Sequence, residues 1–527
     1  MSFSCVYTRA LLGMSAPLIT IETHLRSSAT PAFTLVGLPE TVVKESRERV
    51  TSAIINSGFV FPMDSRITVS MAPADLPKAG GRFDLAIALG ILAASGQVNK
   101  NKLLDYEFVA ELSLSGELRR VPGLIASLLE WQRREAAGTC VVAQENLADT
   151  SIYLNLARSE LQGREVVSLR SLKDACSLLN GLDIPDTEQP SDAGLPRVAA
   201  TNAKASSIGS MSQREQPDLA DVRGQHAARR ALEIAAVGGH NLLFFGPPGT
   251  GKSMLASRLC TILPPLNANE ALESAAIRNL EHAANDDASW LTRPYRSPHH
   301  TASAAAMVGG GSIPKPGEIS LAHRGVLFLD ELPEYSRQVL EVLREPLETG
   351  EIHLSRVQRQ VSYPAAFQLI AAMNPCPCGY YNDGTDRCKC PVTRVQRYRE
   401  KISGPMLDRI DMHVAVMSLS AKELQKAPAG ETSEIVRERV LATRKAQANR
   451  QSGSNSELQG KQLRALTQMD SQTEDFFYQS MEKFGLSARA YDRTLRVART
   501  IADLQQSVAV QKAHLAEALS YRSKLAL

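Results

Sequence analysis

Eight consecutive residues near the middle of the chain have the types and spacing needed to hold a chain of phosphates. They follow the pattern G-x-x-x-x-G-K-S and are Gly246, Pro247, Pro248, Gly249, Thr250, Gly251, Lys252 and Ser253. In such a loop the glycines let backbone N–H groups face a phosphate, the lysine reaches the β- and γ-phosphates, and the serine hydroxyl binds Mg²⁺. The pattern therefore predicts a binding site for ATP and Mg²⁺ made by these eight residues.

Two carboxylates and one amide would complete this site. Asp330 and Glu331 follow the apolar run GVLFL, and Asn374 follows the largely apolar run FQLIAAM. We expect Asp330 to hold the Mg²⁺ shell, Glu331 to polarise the attacking water, and Asn374 to bond the γ-phosphate or that water. Together with the phosphate loop, these residues predict hydrolysis of the bound nucleotide.

The elements that must position these groups are parallel strands and one helix. Residues 241–245 predict a buried strand before the phosphate loop, and residues 254–263 predict a helix after it. This strand–loop–helix order is the context that the loop requires. The carboxyl ends of neighbouring parallel strands meet at one edge of a sheet, so both acids should lie near the γ-phosphate.

Two arginines and the order of the motifs indicate a family. Arg409 lies in the run LDRID, before a predicted strand at 412–416, and Arg489 lies near the start of a predicted helix. This order of phosphate loop, LDE strand, asparagine-ended strand and LDRID resembles AAA+ ATPases of the magnesium-chelatase branch. The runs RPYRSPHH and GGGSIPKPGEISLAH resemble the YifB/ComM family more specifically, and this resemblance covers nearly the whole chain. It implies that Arg409 is an arginine finger for a neighbouring subunit and that Arg489 contacts the γ-phosphate.

The resemblance also implies a function, an ATP-driven DNA motor that forms a hexameric ring. Such a helicase would promote branch migration during homologous recombination and natural transformation, and its partners would be other copies of itself and single-stranded or branched DNA. DNA would be contacted by Lys315, in a glycine-rich insertion, and by Arg356 and Arg359, at the tip of a predicted hairpin. An ordinary surface loop and a solvated hairpin are the alternatives for these segments. The alternative functions are a magnesium-chelatase-type metal-insertion motor and an AAA+ protein-remodelling ATPase.

The first 182 residues contain short predicted strands and helices but no phosphate loop. Their runs PKAGGRFDL, AELSLSGE and VPGLI resemble the Lon protease domain, which has an S5-like α+β fold. When these runs are aligned, the catalytic serine and lysine positions fall on Arg82 and Ile125, which cannot act as nucleophile and base. We therefore expect a protease fold without peptidase activity, serving as a platform for assembly or interaction.

The predicted fold class is α/β, with four segments along the chain. They are a Lon-protease-like α+β domain at 1–182, a flexible linker at 183–216, an AAA+ core with a parallel sheet at 217–420, and a C-terminal helical lid at 421–527. The linker is rich in Pro, Ser, Ala, Asp and Gln and lacks periodicity, which is the composition of a mobile connection.

Four thiols lie close together just after Asn374. They belong to Cys376, Cys378, Cys388 and Cys390, and four thiolates can hold one Zn²⁺ tetrahedrally. The C-x-C spacing is tighter than the usual C-x₂-C, so reduced free thiols are the alternative to zinc. Basic residues crowd the same region and would meet nucleic acid or a neighbouring subunit; they are Arg387, Lys389, Arg394, Arg397, Arg399 and Lys401.

Composition sets only broad limits. The 527 residues carry a net charge of +3, so any attraction to nucleic acid must be local. No apolar run approaches the ~18 residues of a membrane span, and clustered cysteines indicate metal rather than disulfides, so we predict a cytoplasmic protein. The adjacent His299 and His300 would point to opposite faces of a strand, which favours a structural role over shared binding of one metal ion.

Overall fold

The computed structural model describes most of the chain. The described residues are 2–37, 41–76, 78, 80–134, 138–157, 161, 163–184, 217–281, 291–311, 314–356, 359–384 and 386–522. Apart from residues 183 and 184, the predicted linker at 183–216 lies outside these ranges.

The first part of the chain forms a seven-stranded mixed sheet with helices. Its elements are β1 (Ser2–Arg9), β2 (Leu18–Ser27), β3 (Ala32–Val36), α1 (Thr41–Asn56), β4 (Ser65–Ala72), α2 (Asp84–Ala94), β5 (Tyr106–Val109), β6 (Glu111–Leu112), β7 (Leu118–Arg119), α3 (Leu124–Gln132), β8 (Thr139–Ala143), α4 (Leu147–Ala157), β9 (Glu165–Leu169) and α5 (Leu172–Asn180). The strand order is β3-β4-β2-β1-β5-β8-β9; β1 with β2 and β2 with β4 are antiparallel, and the other neighbours are parallel. After Asp84, helix α2 is apolar on every side, and it is therefore buried along its whole length, packed on β1 and β2.

The middle of the chain forms a five-stranded parallel sheet. Its elements are α6 (His226–Gly238), β10 (Leu242–Phe245), α7 (Lys252–Ile262), α8 (Ala268–Asn279), β11 (Tyr295–Arg296), α9 (Ala304–Val308), β12 (Gly309–Gly310), β13 (Lys315–Pro316), α10 (Glu318–Leu321), β14 (Val326–Leu329), α11 (Arg337–Val342), α12 (Pro346–Thr349), β15 (Glu351–Arg356), β16 (Arg359–Pro364), β17 (Gln368–Met373), α13 (Val392–Glu400), α14 (Gly404–Leu407) and β18 (Met412–Ala415). The order β11-β14-β17-β10-β18 places β17 at the centre, and all neighbouring pairs are parallel. All six residues of β17 are buried, as expected for a strand covered on both faces. Two short pairs, β12 with β13 and β15 with β16, stand apart from this sheet.

The C-terminal part of the chain is helical. Its elements are α15 (Ala421–Lys426), α16 (Ser433–Arg450), α17 (Gly460–Leu466), α18 (Ser471–Phe484), α19 (Ala488–Leu504) and α20 (Lys512–Ser520). Helix α19 is strongly amphipathic, and its buried residues Leu495, Ala498 and Ile501 pack in the core shared with α6. The predicted fold class is confirmed in its main features, a mixed α/β fold with a parallel sheet and a helical C-terminal region. Within the described ranges, none of the helices has the length and apolar character needed to cross a membrane.

The chain divides into two compact units that interleave along the sequence. Unit 1 is Met1–Gly209, Asn267–Leu291 and Ser355–Tyr363, and unit 2 is Ser210–Leu266, Thr292–Leu354 and Pro364–Leu527. Helix α8 therefore belongs to unit 1, although it follows the phosphate loop in sequence. Its apolar face joins α3 and α4 in one buried cluster, which explains why this face is apolar. The Lon-like character of unit 1 stays a prediction.

Candidate nucleotide-binding site

The phosphate loop joins the end of β10 to the start of α7. Gly251, immediately before the helix, has a φ of 89°, a left-handed conformation that glycine adopts without strain. The Thr250 hydroxyl donates to the Pro247 carbonyl at 2.9 Å across the loop. The loop therefore delivers the chain into the first turn of α7, whose free backbone N–H groups suit an anion.

Lys252 is the cation at the centre of this loop. Its ammonium donates to the carbonyl oxygens of Gly246 and Pro247, each at 2.8 Å, and to Oδ1 of Asn374 at 3.0 Å. The residue is only 8% exposed, and burial lowers the pKa of Lys252, although the negative charge of the nearby acids opposes this effect. These contacts fix the Lys252 ammonium inside the phosphate loop, and Asn374 is one of the groups that hold it there.

Ser253 and Asp330 lie together beside the lysine. The Ser253 hydroxyl donates to Oδ2 of Asp330 at 2.6 Å, and Oδ1 of Asp330 accepts from the Glu331 amide at 2.9 Å. They meet because β14 and β10 flank β17, so that the three carboxyl ends share one edge of the sheet. A hydroxyl beside a carboxylate is the oxygen ligand pair that Mg²⁺ prefers next to nucleotide phosphates. The donor set therefore fits ATP with Mg²⁺.

Glu331 follows Asp330 in a left-handed conformation, with a φ of 52°, and its side chain is half exposed. The His300 Nδ1 atom lies 3.4 Å from the Glu331 carboxylate, a neighbour that the sequence analysis did not assign. The premise that His299 and His300 lie on opposite faces of a strand was wrong, because neither is in a strand and their rings lie 4.1 Å apart. His300 reaches this edge because β11 borders β14 in the sheet, an adjacency that the motifs do not specify.

Arg409 lies at the opposite, amino end of the sheet. Its carbonyl accepts from the side-chain amide of Asn241, the residue just before β10, at 3.1 Å. Because β10 has four residues, the two ends of this strand are about 13 Å apart. The guanidinium donates to Glu348 Oε1 at 2.5 Å and to the Pro405 carbonyl at 2.8 Å. The alternative interpretation of the LDRID run, a surface ion network of Arg409 with Asp408 and Asp411, is therefore not what these contacts show. Arg409 is therefore placed away from the phosphate loop of its own chain.

Arg489 lies near Arg409, in the first turn of α19. Burial lowers the pKa of Arg409, Glu348 opposes this, and the positive charges of Arg344, Arg489 and Arg493 lower the pKa further. On the same helix face, Arg493 donates to Asp411 at 3.2 Å. Arg489, which we predicted to contact the γ-phosphate, thus lies at the end of the sheet opposite the phosphate loop of its own chain.

The four cysteine thiols come together beside the nucleotide site. The sulfur separations are 3.3 Å for Cys376 and Cys378, 3.8 Å for Cys376 and Cys388, and 3.6 Å for Cys378 and Cys388. All four sulfurs, including that of Cys390, lie within 4.8 Å of one another. A hydrogen bond from the Tyr380 backbone helps to lower the pKa of the Cys378 thiol to about 7. The set can supply the four soft ligands of one tetrahedral metal ion.

The basic residues after this cluster are partly committed to local contacts. Arg387 stacks over Tyr380 and pairs with Asp383 at 2.7 Å, whereas Arg394 and Arg397 are exposed on α13. Their side chains therefore present positive charge on the outside of unit 2.

The predicted DNA contacts lie in the two short strand pairs. Lys315 is exposed in β13, which pairs with β12, and residues 312 and 313 between these strands lie outside the described residues. Arg356 ends β15 and Arg359 begins β16, but their side chains lie outside what the structure describes. The structure thus shows two short strand pairs and describes the side chain of Lys315 alone among the three cations.

Arg82 and Ile125, the two positions that the predicted alignment places at a protease nucleophile and base, are both buried in unit 1. Arg82 is buried and donates to the Pro122 carbonyl at 2.6 Å, and burial lowers the pKa of Arg82 to about 10. Ile125 is buried in the first turn of α3, where its amide donates to Oδ1 of Asn279 from α8 at 3.3 Å. Both positions are thus filled by buried side chains that pack within unit 1, and the absence of peptidase activity stays a prediction.

Comparison with known protein families gives matches in three parts of the chain. Residues 218–424 match the family described as magnesium chelatase, subunit ChlI. Residues 21–146 match a family described as subunit ChlI of Mg-chelatase, and residues 430–522 match the subunit ChlI C-terminal family. The matches include both the phosphate loop and the helical C-terminal region.

Whole-chain relatives extend this similarity. The chain is 47% identical to the protein YifB of Escherichia coli over 524 residues, which is 99% of this chain and 97% of YifB. It is 47% identical to the competence protein ComM of Haemophilus influenzae over 528 residues, which is 100% of this chain and 99% of ComM. A magnesium-chelatase 38 kDa subunit of Cereibacter sphaeroides is 27% identical over 169 residues, which is 29% of this chain and 51% of that subunit.

Proposed function

Because the chain belongs to the magnesium-chelatase-like YifB/ComM family, we propose that it is an ATP-driven motor that forms a ring and moves DNA. Family membership indicates an ATPase that uses ATP and Mg²⁺. The proposed task is branch migration during homologous recombination, including the integration of DNA taken up in natural transformation, and the relative named as a competence protein supports it. We place this activity in the cytoplasm, because the clustered cysteines indicate a metal rather than disulfides.

One observation supports the ring above all, the separation of the two kinds of catalytic group. Lys252, Asp330 and Asn374 lie at the carboxyl end of the sheet, whereas Arg409 lies at its amino end. A γ-phosphate at the phosphate loop would therefore receive its arginine from another copy of the chain. Hydrolysis then requires assembly, and a closed ring, proposed here as a hexamer, gives every copy a neighbour.

Support for DNA as the substrate comes from positive charge on the two short strand pairs. Lys315 is exposed in β13, which pairs with the glycines of β12, and Arg356 ends β15 while Arg359 begins β16. Repeated around a ring, these three cations would meet a phosphate backbone without reading its sequence. Nucleotide-driven movements of successive copies would then shift the strand, and movement at a junction is branch migration.

The deciding experiment measures ATP hydrolysis by the full chain alone, with single-stranded DNA and with a branched DNA junction. We expect stimulation by DNA and ATP-dependent movement of the junction. A chain that hydrolyses ATP but neither binds DNA nor moves a junction would contradict the proposal.

A paired substitution tests the hairpin. Arg356→Ala with Arg359→Ala should weaken DNA binding and reduce the slope of log affinity against log salt by about 2 for each copy that contacts the DNA, because each phosphate contact contributes about one counterion. Basal hydrolysis and assembly should stay near those of the parent. Arg47→Ala with Arg133→Ala is the matched control, since both arginines are exposed in unit 1. Equal losses in the two double variants would remove the hairpin from the DNA interface.

The metal-insertion alternative has its own support in the chelatase families that the chain matches. The extent of the alignments argues against it, because the 38 kDa chelatase subunit aligns with only 29% of this chain, whereas ComM aligns with all of it. ATP hydrolysis stimulated by a porphyrin and its partner subunits, and indifferent to DNA, would favour metal insertion. Stimulation by an unfolded protein instead would favour protein remodelling.

A further inference from the structure

The loop that carries the four thiols, residues 376–390, has the dimensions of a zinc site. With a Zn–S bond of about 2.3 Å, a tetrahedral site needs sulfur atoms about 3.8 Å apart. The measured separations among Cys376, Cys378 and Cys388 are 3.3–3.8 Å, and Cys390 lies within the same small volume. Cys376 is buried while Cys378 is exposed. The site therefore has one ligand fixed in the protein interior and one side open to solvent, through which an ion can enter.

The same loop touches the phosphate loop. Gly379, directly after the C-x-C pair, has a φ of 86°, and a Cβ atom built there would lie 2.6 Å from Cδ of Pro248. The backbone of the thiol loop thus packs on a residue of the phosphate loop. The contact is close enough that only a glycine fits without one of the two loops moving.

A second connection runs through the asparagine. Asn374 lies two residues before Cys376, and its Oδ1 accepts from the Lys252 ammonium at 3.0 Å. Gly379 is tied to Cys376 by a backbone hydrogen bond of 2.9 Å. One short stretch therefore holds the first thiol, the partner of the catalytic lysine and the glycine against Pro248.

We propose that the four thiolates bind one Zn²⁺ and that the zinc-bound loop forms a wall of the nucleotide site, so that zinc occupancy sets the affinity for nucleotide. Arg387 holds part of the loop through Tyr380 and Asp383, but the ion would join the two C-x-C pairs to each other, and without it that link is lost. Gly379 would then leave Pro248, and Asn374 would lose its fixed position beside Lys252. The proposal requires only that the site binds nucleotide, and it is independent of whether the motor acts on DNA.

Two glycines of the loop provide a matched pair of substitutions. Gly379 and Gly384 both have positive φ, 86° and 79°, but no atom lies within 4 Å of a Cβ built at Gly384. Alanine at either position carries similar backbone strain, and only Gly379→Ala also meets Pro248. We expect Gly379→Ala to weaken binding of a fluorescent ATP analogue at least tenfold with zinc content unchanged, and Gly384→Ala to bind like the parent. Equal affinities in the two variants would overturn the contact as a determinant of the site.

Metal analysis and removal test the other half. Protein purified without added metal should contain one zinc per chain, and a zinc chelator should lower affinity for the ATP analogue, with recovery on adding Zn²⁺. Circular dichroism before and after chelation shows whether the fold persists. Absence of zinc, iron in its place, or a folded zinc-free chain that binds nucleotide as tightly as the parent would each overturn the proposal. DNA is absent from these assays, so their failure is distinct from failure of the proposed motor function.

Discussion

The charged groups at the carboxyl end of the five-stranded sheet differ from those at its amino end in the hydrogen-bond partners that they have. At the carboxyl end, Lys252 has three partners and Ser253 meets Asp330 at 2.6 Å. At the amino end, the buried Nε atoms of Arg344 and Arg409 have no hydrogen-bond partner in the described part of the chain. The first end is organised around a nucleotide of its own, and the second gathers the positive charges of Arg344, Arg409, Arg489 and Arg493 away from that phosphate loop. This contrast is the reason for proposing that each site is shared between two copies.

The largest expected effect separates the two ends directly. Arg409→Ala should lower kcat for ATP hydrolysis by roughly 10³–10⁵, the range known for arginine fingers, while the affinity for ATP stays near that of the parent. Glu348→Gln breaks the ion pair of Arg409 but keeps the cation, and it should hydrolyse ATP nearly as well as the parent. If Arg409→Ala and Glu348→Gln lose activity equally, Arg409 is only a structural residue.

Mixing subunits sharpens this test. Lys252→Ala should not bind nucleotide, because the phosphates lose their main cation, yet it still carries Arg409. In mixed rings, a Lys252→Ala copy can supply Arg409 to an Arg409→Ala neighbour, and some hydrolysis should return. No recovery in well-mixed rings would count against action between copies.

A smaller effect is expected for the base at the carboxyl end. Glu331→Gln should bind ATP like the parent but lower kcat by roughly 10²–10⁴, because the amide cannot accept a proton from the attacking water. Glu334→Gln is the matched control, since Glu334 lies three residues after Glu331 and pairs with Lys401 on the surface. Turnover near the parental rate in the Glu331 variant would mean that another group activates the water.

The smallest expected effect concerns Arg489. Loss of one charged hydrogen bond costs about 1.5–3 kcal/mol, so Arg489→Ala should slow hydrolysis roughly 10- to 100-fold, whereas Arg464→Ala, an exposed arginine of α17, should not. Recovery on mixing with Lys252→Ala copies would place Arg489 with Arg409, on the neighbour's nucleotide. Lack of recovery for Arg489, with recovery for Arg409, would mean that α19 moves to its own phosphate loop and that the two ends are less separate than the structure indicates.

Several neighbours of the site were not predictable from the motifs. His300 lies by Glu331, and Gly379 packs on Pro248, yet each pair is far apart in sequence. Motif spacing specifies which strand ends in a reactive group, because strand and loop form locally. It does not specify where the connecting loops return, since their paths depend on packing against the rest of the unit.

The sequence by itself determined the phosphate loop, the acids after β14, the asparagine after β17 and the helical C-terminal region. These features depend on glycine conformation, on apolar runs and on helical periodicity, all of which act over a few residues. Only the tertiary structure decided that α8 belongs to unit 1, that Arg489 stands near Arg409, and that the thiol loop lies against the phosphate loop. An apolar face in the sequence predicts that the face is buried, but it does not specify which element covers it. The covering element is determined by the packing of all the surfaces of a unit together.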